Sequence, residues 1–121
     1  NELFSLGASH CANGVKAYDV HLNADSAIFR AHFPEFPITP GVCILQIALE
    51  LLETITGRQL EISEVKNVKF LHILSPVEPP DVSYEFNHIE DNGTAVKAKV
   101  EVRNGGLLFT SISFVCSNES E

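Results

Sequence analysis

The most apolar stretch of the chain follows a proline-rich segment and repeats with helical spacing. Residues 40–55 carry only three long polar side chains, Gln46, Glu50 and Glu53, four and then three positions apart. This pattern predicts a helix over that range with one narrow polar stripe, closed by Gly57 as the residue that ends it. We expect other elements to enclose the helix, because almost its whole circumference is hydrophobic.

The helix start is predicted from three prolines between residues 34 and 40. Each proline fixes its own φ and restricts the residue before it, so the loop is stiff. We expect Thr39 to be the N-cap and Pro40 the first helical residue. Three N–H groups would then point out of the helix start and offer a site for an anion or a carbonyl oxygen. They belong to Gly41, Val42 and Cys43.

Period-two alternation predicts strands on both sides of the helix. A first strand is expected from Val15 to Leu22, ending at residues 23–26. Residues 1–13 show no clear period, and we expect an initial turn or helix there that ends at Asn13-Gly14. Four β-type runs follow the helix, with hairpin turns between the later ones. These runs are 60–74, 82–86, 96–102 and 107–116, with turns at Asp91-Asn92-Gly93 and Asn104-Gly105-Gly106.

One apolar helix and about five antiparallel strands predict an α+β fold in which a curled sheet wraps the helix. A length of 121 residues indicates a single domain, 1–121. The net charge of −8, without a basic cluster, argues against nucleic acid as a partner. No apolar run is long enough to span a membrane. No signal peptide opens the chain, and its start at Asn1 without methionine leads us to expect a trimmed N-terminus.

The three cysteines are Cys11, Cys43 and Cys116, and they lack any CxxC spacing. An odd number without such spacing favours buried, reduced thiols in a cytoplasmic protein over a disulfide framework. We expect no metal site and no cofactor, because His10-Cys11 has no partner pair at metal-ligand spacing.

The segment His32-Phe33-Pro34-x-x-Pro37-Ile38-x-Pro40-Gly41-Val42 resembles the active-site loop of the 3-hydroxyacyl-acyl-carrier-protein dehydratases of fatty-acid synthesis, which have the hotdog fold. The resemblance continues through the strand before the loop, the central helix, Val68-Lys69-Phe70 and the final meander. It implies a homodimer, with a trimer of dimers as a further assembly, whose two sheets join edge to edge. The implied substrate is an acyl thioester of acyl carrier protein or coenzyme A, converted to a 2-enoyl thioester by loss of water.

The resemblance also implies residue roles. His32 matches the catalytic base, and Gly41 matches the glycine whose N–H polarises the thioester carbonyl. Ile38 matches the residue whose carbonyl steadies the histidine ring. Other residues of the motif are expected to contact substrate, namely Phe33, Pro34, Pro40 and Val42.

The position of the family's acid, five residues after the glycine, is occupied here by Gln46. An amide cannot deliver a proton, although it can orient water or a hydroxyl group. Glu50 lies one turn further on, about 6 Å along the helix. We therefore expect Glu50 to act through Gln46 or through a water molecule.

Two alternatives to a dehydratase remain open. One is a hotdog thioesterase, because a carboxylate and a helix N-terminus can together activate water. The other is an acyl-binding subunit that has lost its acid and pairs with an active paralogue. For docking of an acidic carrier protein, the expected positive side chains are Arg30, Lys66 and Lys69.

Overall fold

The computed structural model of the chain describes residues 3–26, 39–76 and 80–118. Within these ranges it contains six strands and one helix. In chain order they are β1 (Phe4–Ala12), β2 (Val15–Leu22), α1 (Gly41–Thr56), β3 (Leu60–Phe70), β4 (Asp81–Asp91), β5 (Ala95–Asn104) and β6 (Leu107–Asn118). Most of the proline loop lies outside the described residues.

The six strands form one antiparallel sheet in the order β1-β2-β4-β5-β6-β3. Strands β4, β5 and β6 follow one another as a meander, with turns at both predicted positions. Strand β3 follows the helix and pairs with the last strand, so that β1 and β3 are the two edges. The predicted α+β fold is confirmed.

One face of the sheet and one face of α1 share the hydrophobic core. Along β5 every second side chain from Val96 to Val102 is buried, as the alternation predicted. On α1 the fully buried side chains include Ile47 and Leu52, which belong to the same core cluster. Burial of this apolar surface is the main driving force for wrapping the sheet around the helix.

Strand β1 corrects the prediction of a turn or helix at residues 1–13. Of its nine residues only Phe4 is buried, so the strand lacks the alternation that predicts strands. Backbone pairing with β2 forms it instead. The connecting turn has positive φ at Asn13 (53°) and Gly14 (78°), a geometry that suits two-residue hairpins.

Strand β3 ends earlier than predicted, at Phe70 rather than Leu74. Beyond Phe70 the N–H groups of Leu71 and His72 both donate to the carbonyl of Phe109, at 2.8 and 3.3 Å. Two hydrogen bonds to one acceptor cannot continue a ladder, so the chain leaves the sheet here. The break leaves Phe70 at the corner where the edge strand turns towards the helix.

The helix end matches the prediction at Gly57, which has φ of 72° and donates its N–H to the Glu53 carbonyl at 2.8 Å. The side chain of Glu53 accepts a hydrogen bond from the N–H of Leu60 at 2.8 Å. Glu53 therefore links the end of α1 to the start of β3. No helix in the described ranges is long and apolar enough to cross a membrane.

Candidate functional site at the start of the helix

The helix starts one residue later than predicted. Pro40, with φ of −60° and ψ of 147°, is the extended N-cap, and Gly41 is the first helical residue. Thr39 does not cap the helix: its N–H donates to the Leu74 carbonyl at 2.7 Å, and its hydroxyl is buried without a hydrogen-bond partner in the described part of the chain. The bond to Leu74 joins Thr39 to the segment after β3.

The predicted set of three outward N–H groups is reduced to two. The N–H of Cys43 donates to the Pro40 carbonyl at 2.9 Å, and the same carbonyl accepts from Ile44 at 3.1 Å. For the N–H groups of Gly41 and Val42, no acceptor occurs among residues 3–26, 39–76 and 80–118. Amides at a helix start point along the axis and carry its positive end, so these two can hold a carbonyl oxygen that gains negative charge.

Tyr84 anchors this first turn of the helix to the sheet. Its side chain is fully buried on β4, and its hydroxyl donates to the Ile44 carbonyl at 3.1 Å. Burial, with a smaller contribution from the nearby Cys43, raises the pKa of Tyr84 far above its usual value, so the phenol stays neutral. The sequence contained one signal for this contact: a tyrosine at an inward strand position needs a partner for its hydroxyl.

Gly41 is in close contact with Phe70, the last residue of β3. A Cβ placed on Gly41 would lie 2.7 Å from Cζ of Phe70 and 3.2 Å from its Cε1, so the ring tip would have to move to admit a side chain. Glycine at this position therefore lets the ring lie against the first helical residue. Phe70 is 58% exposed. The sequence alternation had identified Phe70 only as a strand residue.

Gln46 and Glu50 are in contact along the polar stripe of α1. The Gln46 amide nitrogen, Nε2, donates to Oε2 of Glu50 at 3.3 Å. Gln46 is exposed and Glu50 is half-buried. Glu50 also lines a cleft of about 690 Å³ between α1 and β1, together with Glu53 and Arg58. This hydrogen bond joins the two side chains one helical turn apart, while the role of Glu50 at the site stays a prediction.

An exposed apolar surface adjoins the helix start and the β3 edge. Val42 and Ile73 are each 70% exposed, and Leu71 is 50% exposed. We call Val42, Phe70, Leu71 and Ile73 the apolar edge surface. Large apolar side chains grouped beside an open strand edge are typical of a protein interface.

The remaining predicted site residues lie outside the described part of the chain. They are His32, Phe33, Pro34 and Ile38, so the assignment of the base and its carbonyl partner stays a prediction. Of the described ones, Pro40 is half-buried, and Val42 is exposed next to Gly41. The structure thus places Pro40, Gly41, Val42, Gln46 and Glu50 on the first three turns of α1 and its cap.

The three cysteines are free thiols. Burial raises the pKa of the Cys43 thiol, which argues against a nucleophilic thiolate at the helix start. Burial, with a smaller contribution from Glu53, raises the pKa of Cys116 to about 11. The prediction of buried thiols is correct for these two residues and wrong for Cys11, which is exposed because it lies on the edge strand β1.

Comparisons with known proteins agree with this geometry. Residues 10–106 match the family described as ApeI-like, ApeI dehydratase. A 3-hydroxyacyl-[acyl-carrier-protein] dehydratase FabZ of Protochlamydia amoebophila is 29% identical over 107 residues, covering 84% of this chain and 70% of that protein. A FabZ of Latilactobacillus sakei is 26% identical over 102 residues, covering 78% and 73%.

Among solved structures, the dehydratase heterocomplex ApeI:P of Xenorhabdus doucetiae is similar with a TM-score of 0.68 at 16% identity, over 95% of this chain and 98% of that one. The putative thioesterase yhdA of Lactococcus lactis is similar with a TM-score of 0.58 at 10% identity, over 98% and 91%. At these identities the likeness shows the fold, and the predicted hotdog arrangement is confirmed.

Proposed function

Since the chain belongs to the ApeI-like dehydratase family, we propose that it is a lyase that removes water from a 3-hydroxyacyl thioester to give a 2-enoyl thioester. The observation that carries this proposal is the pair of N–H groups at Gly41 and Val42, without an acceptor in the described part of the chain, at the start of a rigidly anchored helix. The FabZ proteins similar to this chain are named for 3-hydroxyacyl-acyl-carrier-protein substrates, which supports fatty-acid or related lipid biosynthesis as the setting.

In the proposed reaction His32 removes a proton from C2 of the substrate. The electron pair of that C–H bond forms the C2–C3 double bond, and the C3–O bond breaks. Negative charge rises on the thioester oxygen during this step, and the N–H of Gly41 stabilises it. The hydroxyl group leaves as water once it receives a proton.

We propose that Glu50 delivers that proton and that Gln46 orients the carboxyl group of Glu50. The hydrogen bond of 3.3 Å between them fixes the carboxyl group relative to the helix. Glu50 would protonate the leaving hydroxyl directly or through one water molecule. This assignment replaces the acid one turn earlier in the dehydratases that the chain resembles.

We propose a homodimer as the active form. The edge strand β3 and the apolar edge surface support it, because joining two β3 edges would pair their open backbone groups and cover exposed apolar side chains. The trimer of dimers remains a prediction. A pair with a different hotdog chain is the alternative, supported by the neighbouring structure that is titled a heterocomplex.

The test is incubation of the purified protein with 3-hydroxyacyl thioesters of coenzyme A and of acyl carrier protein. We expect enoyl absorbance to rise, and we expect His32→Ala to abolish the rise. Release of free thiol without enoyl product would support the thioesterase instead. Acyl binding without turnover, or co-purification with a second hotdog chain that restores turnover, would support the impaired subunit.

A further inference from the structure

The contact between Phe70 and Gly41 has no role in the steps assigned above. Phe70 touches the first helical residue with the tip of its ring, at the place where a Gly41 side chain would begin. Cα–Cβ bonds in a helix lean towards the N-terminus, so the ring tip lies on the side of Gly41 to which the open N–H groups point. The ring therefore occupies space next to the proposed carbonyl site.

The ring is held there by its backbone and not by burial of the ring. Phe70 is paired with Thr110 as the last residue of the β3 ladder. Directly after it, Leu71 donates to the Phe109 carbonyl at 2.8 Å, and further on Leu74 accepts from Thr39 at 2.7 Å. The segment that carries the ring is thus hydrogen-bonded both to the sheet and to the residue before the helix cap.

A thioester held by helix N–H groups is activated for two reactions. Loss of the C2 proton leads to elimination. Attack by water on C1 forms a C–O bond, breaks the C–S bond and, after proton transfer from water to the thiolate, gives a free acid and a thiol. The same N–H groups stabilise the oxygen charge in both, so the choice depends on whether water reaches C1.

We propose that Phe70 is a positioning residue that shields the carbonyl site at Gly41 from water and so selects elimination over thioester hydrolysis. This inference rests on the proposed function, because it concerns the same carbonyl site. It also gives a reason for glycine at position 41: a side chain there would push the ring away from the helix start.

The experiment compares the wild-type chain with Phe70→Ala, Phe70→Leu and Leu107→Ala. Leu107 is a matched control, because it is an exposed apolar residue of the same sheet that pairs with Asn104 of β5. The readout is the ratio of free thiol to enoyl product from one 3-hydroxyacyl-CoA. A ratio does not depend on how much of each variant is folded.

We expect Phe70→Ala to raise the thiol-to-enoyl ratio about tenfold, equivalent to about 1.4 kcal/mol between the two barriers. Phe70→Leu should give a smaller rise, and Leu107→Ala should leave the ratio unchanged. Gly41→Ala should raise the ratio as Phe70→Ala does, and it should add little when both changes are combined. An unchanged ratio in Phe70→Ala, or additive effects in the double variant, would overturn the shielding role.

Hydrolysis of a saturated acyl-CoA separates this inference from the proposed function, because that substrate cannot undergo elimination. Faster thiol release by Phe70→Ala than by wild type supports shielding of the carbonyl site. If 3-hydroxyacyl substrates at the same time give no enoyl product, the dehydratase proposal fails and the shielding result still stands. Equal rates for the two proteins would defeat shielding and leave the dehydratase standing.

Discussion

The amide nitrogen of Gln46 lies 3.3 Å from a carboxylate oxygen of Glu50, one helical turn further along α1. Gln46 occupies the position at which the dehydratases that the chain resembles are expected to carry the acid, and Glu50 lies one turn further on. Gln46 can donate to Glu50 through its NH₂ group while its carbonyl oxygen accepts from a substrate hydroxyl. Together the two side chains can bind the substrate hydroxyl and supply its proton, two tasks that a single carboxylic acid can also perform.

This relationship predicts how two conservative substitutions change kcat. Glu50→Gln should lower kcat for dehydration by roughly 10²–10⁴-fold, because it removes the proton donor. Gln46→Glu should not raise kcat, because it places a second carboxylate against the first and removes the orienting donor. Steady-state kinetics with one 3-hydroxyacyl-CoA provides the measurement. A faster Gln46→Glu enzyme would show that position 46 is where the acid is needed.

Tyr84 provides a test of how the helix start is held. Tyr84→Phe keeps the buried ring and removes one hydrogen bond to the Ile44 carbonyl. We expect a loss of about 0.5–1.5 kcal/mol in the free energy of unfolding, measured by urea denaturation. Tyr18→Phe is the control, because the described residues contain no hydrogen bond from the Tyr18 hydroxyl. Equal losses in the two variants would contradict an anchoring role.

The β4–β5 turn predicts a pH-dependent contribution from Asp91. Hydrogen bonds from the Gly93 N–H and from Arg58 lower the pKa of Asp91 below its ordinary value of 3.8. A carboxyl group with a lowered folded-state pKa stabilises the fold above its unfolded pKa, and this effect disappears as pH falls through the folded value. Asp91→Asn should therefore be less stable than wild type near neutral pH and equal to it well below pH 3.8.

Urea midpoints of the wild-type and Asp91→Asn chains, measured as a function of pH, provide this comparison. Glu90→Gln is the control, because its only ion pair in the described ranges is a long contact of 4.0 Å with Lys97. A stability gap between wild type and Asp91→Asn that persists in strong acid would exclude ionisation as its cause.

The apolar edge surface predicts the effect of charge on assembly. Ile73→Glu puts a carboxylate into a surface that is proposed to be covered in the dimer, and this should give a monomer in sedimentation experiments. Leu6→Glu places the same charge on the opposite edge strand, at a residue that is also exposed, and should leave the assembly unchanged. If Ile73→Glu sediments like wild type, the interface lies elsewhere.

Carrier docking yields a prediction that compares two substrates. Lys66 and Lys69 are exposed on β3, in a chain of net charge −8. Reversing both charges to Glu should raise KM about tenfold for a substrate on the acidic carrier protein. The same double variant should leave KM for the coenzyme A substrate nearly unchanged. Equal effects on both substrates would argue against carrier docking at this strand.

The sequence was most informative where local pattern and burial coincide. Alternation along β5 predicted which side chains are buried, and the apolar run after the prolines predicted the helix α1. Strand β1 was missed because it is formed by backbone pairing at an edge and has little hydrophobic period. Edge strands owe less to side-chain burial than central strands do.

At the site, too, the local sequence motif identified a residue, and the tertiary structure gave the reason for it. The match of the proline loop to known dehydratases selected Gly41, but the reason for a glycine became visible only with Phe70 against it. These two residues are far apart in sequence, and no local rule pairs them. The shift of the cap from Thr39 to Pro40 arises likewise from a tertiary bond to Leu74, which outweighs the capping preference of threonine.

The pairing of β3 with the last strand also determines when this site can form during synthesis. Leu60 is paired with Asn118, and Phe70 with Thr110, so the edge that carries the ring has no ladder partner until β6 has emerged from the ribosome. At about 5–20 residues per second, the helix is exposed for several seconds before β3 can dock. During that interval the apolar side chains of α1 lack the part of the core that β6 supplies.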